Sequence, residues 1–238
     1  MTEIPTQAMV LAAGIGKRMR PLTDHIPKPM IEVAGRTLVD RAIDQLEHAG
    51  VNSLVVNSSY KAEILERHLL KRASPHIVFS REAEPLETGG GIARALHHFG
   101  KAPFFVVNGD IIWTNGHTPA LYRLAEQWND DLDALLLVHS TDTAMGYDGN
   151  GDFFIKPGGF MARREPDGGA PFVYAGVQIL HPRLFAEAPE GAFSLNLLYD
   201  KAIKANRIKA LEHDGAWLHV GDPAGRAKAE AYLLANGN

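Results

Sequence analysis

Four cations and one carboxylate carry the chemistry this sequence offers. Lys17, Arg18 and Arg20 follow a Gly14-Ile15-Gly16 turn, and Lys28 stands between Pro27 and Pro29. Asp110 closes an Asn108-Gly109-Asp110 triplet that ends the apolar run Phe104 to Val107. Glycine has no Cβ, so a ligand can approach the backbone N–H groups of such a turn. Guanidinium and ammonium groups neutralise phosphate oxygens, and the two prolines stiffen the chain around Lys28. Together these residues describe a cradle for a polyphosphate. The apolar run Met9 to Ala13 is the buried strand that must present it. A carboxylate at the C-terminal end of a buried parallel strand sits where open α/β sheets bind ligands, so Asp110 is placed to hold Mg²⁺ against phosphate oxygens.

Two familiar phosphate loops are excluded by residue type. A Walker A loop needs Gly-Lys-Ser/Thr, and here Arg18 follows Lys17. A dinucleotide fingerprint needs a third glycine where Met19 or Arg20 stands. That disfavours a dinucleotide-dependent oxidoreductase. What remains is Leu11-Ala12-Ala13-Gly14-x-Gly16-x-Arg18-Met19-x-Pro21-Leu22-Thr23, then Pro27-Lys28-Pro29. This pattern resembles the signature of the sugar-1-phosphate nucleotidyltransferases, and the resemblance extends over essentially the whole chain.

The resemblance implies a Rossmann-like, mostly parallel sheet flanked by helices and a reaction between a nucleoside triphosphate and a sugar 1-phosphate. It makes Arg18, Lys28 and Asp110 the catalytic set, with Mg²⁺ on Asp110. Nucleotide contacts are implied at Leu11, Ala12, Ala13, Gly14, Gly16, Lys17, Asn108 and Gly109. The wording Glu84-Pro85-Leu86-Glu87-Thr88-Gly89-Gly90-Gly91 looks like the branch that transfers uridylyl to N-acetylmuramate 1-phosphate. Guanylyltransferases more often carry Leu-Gly-Thr-Ala-Gly there, which makes Glu87 informative. The alternatives are a guanylyl- or thymidylyltransferase acting on mannose or glucose 1-phosphate, and a silent nucleotide-sugar-binding regulator.

Three consecutive glycines are costly in conformational entropy, so something should require bare backbone at 89–91. The expected reason is a flat nucleobase lying on a loop ahead of a helix from Ile92 to Phe99. Pro85, Thr88 and Gly89 would line it, and Glu82 or Glu84 would accept from the ring N–H. On the sugar side the resemblance implies Gly149, Asp152, Tyr174 and Gly176. Relatives place a lysine in a Glu-Lys-Pro segment; here the nearest match is Arg164-Glu165-Pro166, so Arg163 or Arg164 would stand in. Lys156, Arg163 and Arg164 are also the candidate cations for a lactyl carboxylate. Relatives carry Asp in a Trp-x-Asp-x-Gly-Thr segment, where this chain has His219, with Asp222 in place of Thr. His219 is expected to face the metal side, with Asp222 as the substitute.

These side chains need a scaffold, and strands and helices alternate regularly enough to supply one. Helical patterns are Thr37 to Ala49, capped by Thr37, then Lys61 to Arg72, Ala120 to Trp128 opened by Thr118-Pro119, Leu195 to Asn206, and a last helix from Pro223. Apolar runs at 54–56, 77–79, 132–139, 172–180 and 208–211 are strands, which predicts a mostly parallel sheet with helices on both faces. His68 is expected at the surface. The Gly-, Asp- and Pro-rich stretch 141–171 is expected to be an irregular lobe or lid within a single 1–238 domain.

The chain of 238 residues is 45% hydrophobic, enough for a sizeable core, and has a net charge of -4. That charge argues against a general nucleic-acid binder. The absence of cysteine removes disulfides, thiolate metal sites and a Cys nucleophile. No apolar run approaches the ~20 residues of a membrane helix, and no basic-apolar leader opens the sequence. The expectation is a cytoplasmic monomer or weak dimer without membrane or nucleic-acid partners, and without the C-terminal β-helix of larger relatives.

Overall fold

The computed structural model describes residues 4–237. Strand β1 (Gln7–Leu11) is followed by single 3-10 turns at Lys17–Met19, Leu22–Asp24 and Lys28–Met30. A small hairpin, β2 (Glu32–Val33) and β3 (Arg36–Thr37), leads into α1 (Leu38–His48). Thr37 caps α1, its hydroxyl accepting from the Asp40 N–H at 3.1 Å. There follow β4 (Ser53–Ser58), α2 (Ala62–Leu69), β5 (His76–Arg81), α3 (Glu87–Ala95), β6 (Phe104–Asn108), β7 (Ile111–Trp113) and α4 (Ala120–Gln127). The second half contains β8 (Ala134–Ser140), β9 (Phe153–Ile155), β10 (Met161–Arg163), β11 (Phe172–Leu180), α5 (Asn196–Lys204), β12 (Ile208–Glu212), β13 (Trp217–His219) and α6 (Pro223–Asn236).

Among the described residues, nine strands form one sheet. Strands β5, β4, β1 and β6 are neighbours and parallel. Next comes β11, antiparallel to both β6 and β8, with β12 parallel to β8 at the far edge. Alternation divides the core. Ala8 and Val10 join α1, α2 and α4 on one face, and Met9 joins α3 and α5 on the other. Burying each large aliphatic or aromatic side chain contributes about 1.5–3 kcal/mol. A third cluster packs α6 and Leu38 beneath the two-stranded β7–β13 ribbon. Among the described residues no helix is long and apolar enough to cross a membrane.

The structure departs from the pattern-based reading at four places. Helix α2 stops at Leu69, and Arg72 turns away to pair with Asp40, Asp44 and Glu47. Helix α3 starts at Glu87, so the three glycines lie inside it rather than ahead of it. Packing explains them. A Cβ on Gly89 would strike Phe193, one on Gly90 would strike the Gly191 carbonyl, and one on Gly91 would lie 2.8 Å from Glu82 Oε1. At α4, Pro119 is the cap position and Asn115 Oδ1, not Thr118, accepts from the Ala120 N–H at 3.0 Å. Within 141–171, β9 and β10 form a hairpin that joins the main sheet through Phe153 against Phe172.

Candidate active site at the strand ends

Strand register assembles the site. Leu11 is level with Asn57 of β4 on one side and with Asn108 of β6 on the other. The C-terminal ends of three parallel strands therefore open together, and the loops leaving them enclose a cavity of about 440 Å³. All the expected nucleotide-side residues except Glu84, Gly89 and Gly109 line it: Leu11, Ala12, Ala13, Gly14, Gly16, Lys17, Arg18, Lys28, Glu82, Pro85, Thr88, Asn108 and Asp110. Gly89 is packed under Phe193, and Gly109 lies against Val10 and the Leu11 carbonyl.

The cradle is held by its own chain. Gly16 has φ 66°, a left-handed conformation that favours glycine, and a Cβ there would lie 2.7 Å from the Lys28 Cβ. Its carbonyl accepts from the Met19 N–H at 2.9 Å and from the Thr23 hydroxyl at 2.9 Å. Lys28 is buried, and its Nζ donates to Asp110 Oδ2 at 2.7 Å. Arg18 is exposed at the mouth of the cavity. The residues read as the catalytic set thus meet at one place.

Glu82 differs from its expected role. It is 4% exposed, and its carboxylate accepts from Asn57 Nδ2 at 2.7 Å and from the Leu86 N–H at 3.0 Å. Protein donors therefore engage both its oxygens, where a base N–H was expected. Asn57 was missed by the sequence reading, although a polar residue ending the apolar run 54–56 was a usable signal. Pro29, Glu87 and Gly221 also line the cavity. Glu87 has φ 59°, which a residue with a Cβ adopts only at a cost, and it opens α3.

Where a metal was expected, His219 pairs in register with Ile111, the residue after Asp110. Burial pushes its imidazole below the usual histidine range, and the Lys28 cation pushes it the same way while Asp110 opposes. His219 is therefore neutral at pH 7, with a nitrogen lone pair available. Gly221 backs the ring, because a Cβ there would collide with Nε2. Asp222 is engaged elsewhere: its Oδ1 accepts from the Gly225 N–H at 2.8 Å and caps α6. That backbone bond holds its carboxyl below the ordinary range. Among the described residues no three His, Cys, Asp or Glu side chains gather as a metal cage.

The sugar-side candidates do not gather. Arg163 is tied to Asp200 at 2.7 Å and Asn196 at 2.9 Å, with its guanidinium 4.6 Å from the Phe153 ring centroid. Arg164 donates to the carbonyls of Pro166 at 2.7 Å and Gly168 at 3.0 Å. Asp152 accepts from the Tyr174 N–H at 2.9 Å, and Gly149 lies against the Tyr147 hydroxyl. The Tyr174 hydroxyl is buried, and burial raises its pKa well above the ordinary value. Lys156 is exposed at the β9–β10 turn. Only Gly176 (φ 79°) approaches the cavity, where a Cβ would lie 3.1 Å from Asn108 Nδ2.

This geometry suits an anion of several charges lying across the cradle, with Lys28 and Asp110 at its inner end. Comparison with known proteins agrees. The profile of the nucleotidyl transferase family matches residues 7–148. The chain is 41% identical to an N-acetylmuramate alpha-1-phosphate uridylyltransferase of Caulobacter vibrioides, over 98% of this chain and 99% of that one. It is 34% identical to the protein of the same description from Neisseria meningitidis, over 94% and 97%. The fold superposes on HddC from Yersinia pseudotuberculosis, complexed with GMP-PN, with a TM-score of 0.77 at 24% identity, covering 96% of this chain and 99% of that one.

Proposed function

This chain belongs to the nucleotidyl transferase family, and from that premise we propose that it transfers a uridylyl group from UTP to N-acetyl-α-muramate 1-phosphate, releasing pyrophosphate. The observation that carries this reading is the near full-length similarity to two uridylyltransferases of that specificity. An oxygen of the sugar phosphate attacks the α-phosphorus of UTP. A new P–O bond forms there as the bond to the α–β bridging oxygen breaks, and the electron pair leaves with pyrophosphate.

Both reactants are anions, so the enzyme's work is neutralisation and alignment. Arg18, at the mouth, holds the departing β- and γ-phosphates, and the bare backbone at Gly14 and Gly16 lets them approach. Lys28 neutralises the α-phosphoryl oxygens and the incoming phosphate. Its present partner, Asp110, fixes the ammonium in a buried position.

Asp110 and His219 would hold Mg²⁺. One carboxylate beside a neutral imidazole is a sparse set for so hard a cation, and it fits where phosphate oxygens and water complete the shell. The open cavity beside Asp110 leaves room for them. When bound, the metal neutralises charge on the nucleotide phosphates. The test is direct: the purified protein with UTP, MgCl₂ and N-acetylmuramate 1-phosphate should yield the UDP-sugar and an equal amount of pyrophosphate. Nucleotide binding without pyrophosphate release would instead make the chain a regulator.

A further inference from the structure

We propose that Glu82 and Asn57 form a buried clamp that couples the base-side loop to the phosphate cradle, so that both are positioning residues for the nucleotide; the inference rests on the nucleotide reading of the cavity. The clamp joins segments far apart in the chain. The Ala12 N–H, at the root of the cradle, donates to Asn57 Oδ1 at 2.7 Å. Asn57 Nδ2 donates to Glu82 Oε1 at 2.7 Å, and Glu82 Oε2 accepts from the Leu86 N–H at 3.0 Å, one residue before α3 begins. Glu82 is itself anchored, its N–H donating to the Ser58 carbonyl at 2.7 Å.

The direction of this chain is fixed. Turning the Asn57 amide over would set its NH₂ against the Ala12 N–H and its oxygen against a carboxylate, two repulsive contacts in place of two bonds. Asn57 is 3% and Glu82 4% exposed, so water cannot replace a lost partner cheaply. Helix α3 lies directly on the pair: a Cβ on Gly91 would lie 2.8 Å from Glu82 Oε1 and 2.9 Å from Asn57 Nδ2. Glu87 and Thr88, which line the cavity, are thereby held at a set height above Ala12 to Gly16. A carboxylate with protein donors on both oxygens serves this geometry, and the base is read by groups around it.

Exchanging donor and acceptor tests the clamp. Asn57→Asp alone opposes two carboxylates, and Glu82→Gln alone sets an NH₂ against either Asn57 Nδ2 or the Leu86 N–H. In the double variant every bond can reform. The Ala12 N–H donates to the new carboxylate at position 57, that carboxylate accepts from the new amide at position 82, and the amide oxygen accepts from the Leu86 N–H. Net charge is unchanged. By calorimetry without sugar phosphate, each single change should raise the Kd for UTP about tenfold or more, and the double variant should return to within about threefold of wild type. A double variant that binds no better than the weaker single overturns the clamp, as does a silent Glu82→Gln. If Glu82 instead reads the base, the double variant stays weak and its preference between UTP and GTP moves. Should a single variant fail to fold, the double variant alone decides. Wild-type protein that binds GTP and not UTP contradicts the proposed substrate while leaving the same cycle readable on GTP; binding of neither overturns both.

Discussion

At Gly14 and Gly16 the demands of the fold and of the ligand separate. Gly16 is required by the protein, through its positive φ and through the Lys28 and Thr23 side chains packed on it. Gly14 is not, because a Cβ there would meet nothing within 4 Å. Gly14→Ala should therefore leave thermal stability unchanged or raised by up to about 1 kcal/mol, since it only narrows the unfolded ensemble. The same change should raise the Kd for UTP about tenfold, as a methyl group intrudes on the cradle. Unaltered UTP affinity would remove Gly14 from the site. Residues of this kind are legible in sequence because type and spacing are local: Arg18 and Lys28 follow soon after the glycine turn. Arg163 and Arg164 looked equally available, but what occupies them is tertiary. Asp200 lies 37 residues beyond Arg163, and Arg164 folds back on carbonyls of its own turn. Asn57 went unseen for the same reason, since its meaning is an Ala12 N–H 45 residues away.

Among the elements, α3 shows how packing overrides propensity. Glycine at three successive helical positions costs about 1 kcal/mol each relative to alanine, which is why the run looked like a loop. The helix persists because the segment around Gly191 and Phe193 lies against it: the Gly89 N–H donates to the Phe193 carbonyl at 2.9 Å. The two effects oppose each other at Gly90. Alanine would gain about 1 kcal/mol of propensity, yet its methyl would collide with the Gly191 carbonyl, and forced overpacking costs about 1–3 kcal/mol. Backbone atoms cannot rotate away as a side chain can, so packing should win. Gly90→Ala should lower the urea midpoint, and a raised midpoint would show that the 191–193 segment gives way. The other helices, and strands β1, β4, β5, β6, β8, β11 and β12, were legible from apolar patterning, with ends displaced where partners intervene, as when Arg72 leaves α2 for three acids of α1.

For the whole molecule, the alternation of strands and helices implied a mostly parallel sheet with two covered faces, and the structure has it. The antiparallel β11 at its centre was not legible, because strand direction is set by the β9–β10 hairpin that precedes it and not by local composition. Stability of the whole fold should carry an acid-sensitive contribution from one buried histidine. His213, 5% exposed, follows β12 and faces His139 with ring centroids 5.9 Å apart. Burial, helped by His139, lowers its pKa from 6.5 to about 4. The unfolded chain therefore binds this proton first as pH falls. The contribution is fully present above pH 6.5 and is lost down to about pH 4, by about 3 kcal/mol in total. Urea unfolding across that range should show the slope, and His213→Gln should flatten it; an unchanged slope would place the proton elsewhere. We propose that this fold presents a uridylyl-transfer site for a muramyl substrate. The most direct measurement is kcat/KM for UTP, GTP, dTTP and CTP, each paired with N-acetylmuramate 1-phosphate, N-acetylglucosamine 1-phosphate and mannose 1-phosphate. UTP with N-acetylmuramate 1-phosphate should lead every other pair by about tenfold or more, roughly 1.4 kcal/mol of transition-state preference. GTP or dTTP exceeding UTP by that factor on any of these sugars would contradict a uridylyltransferase.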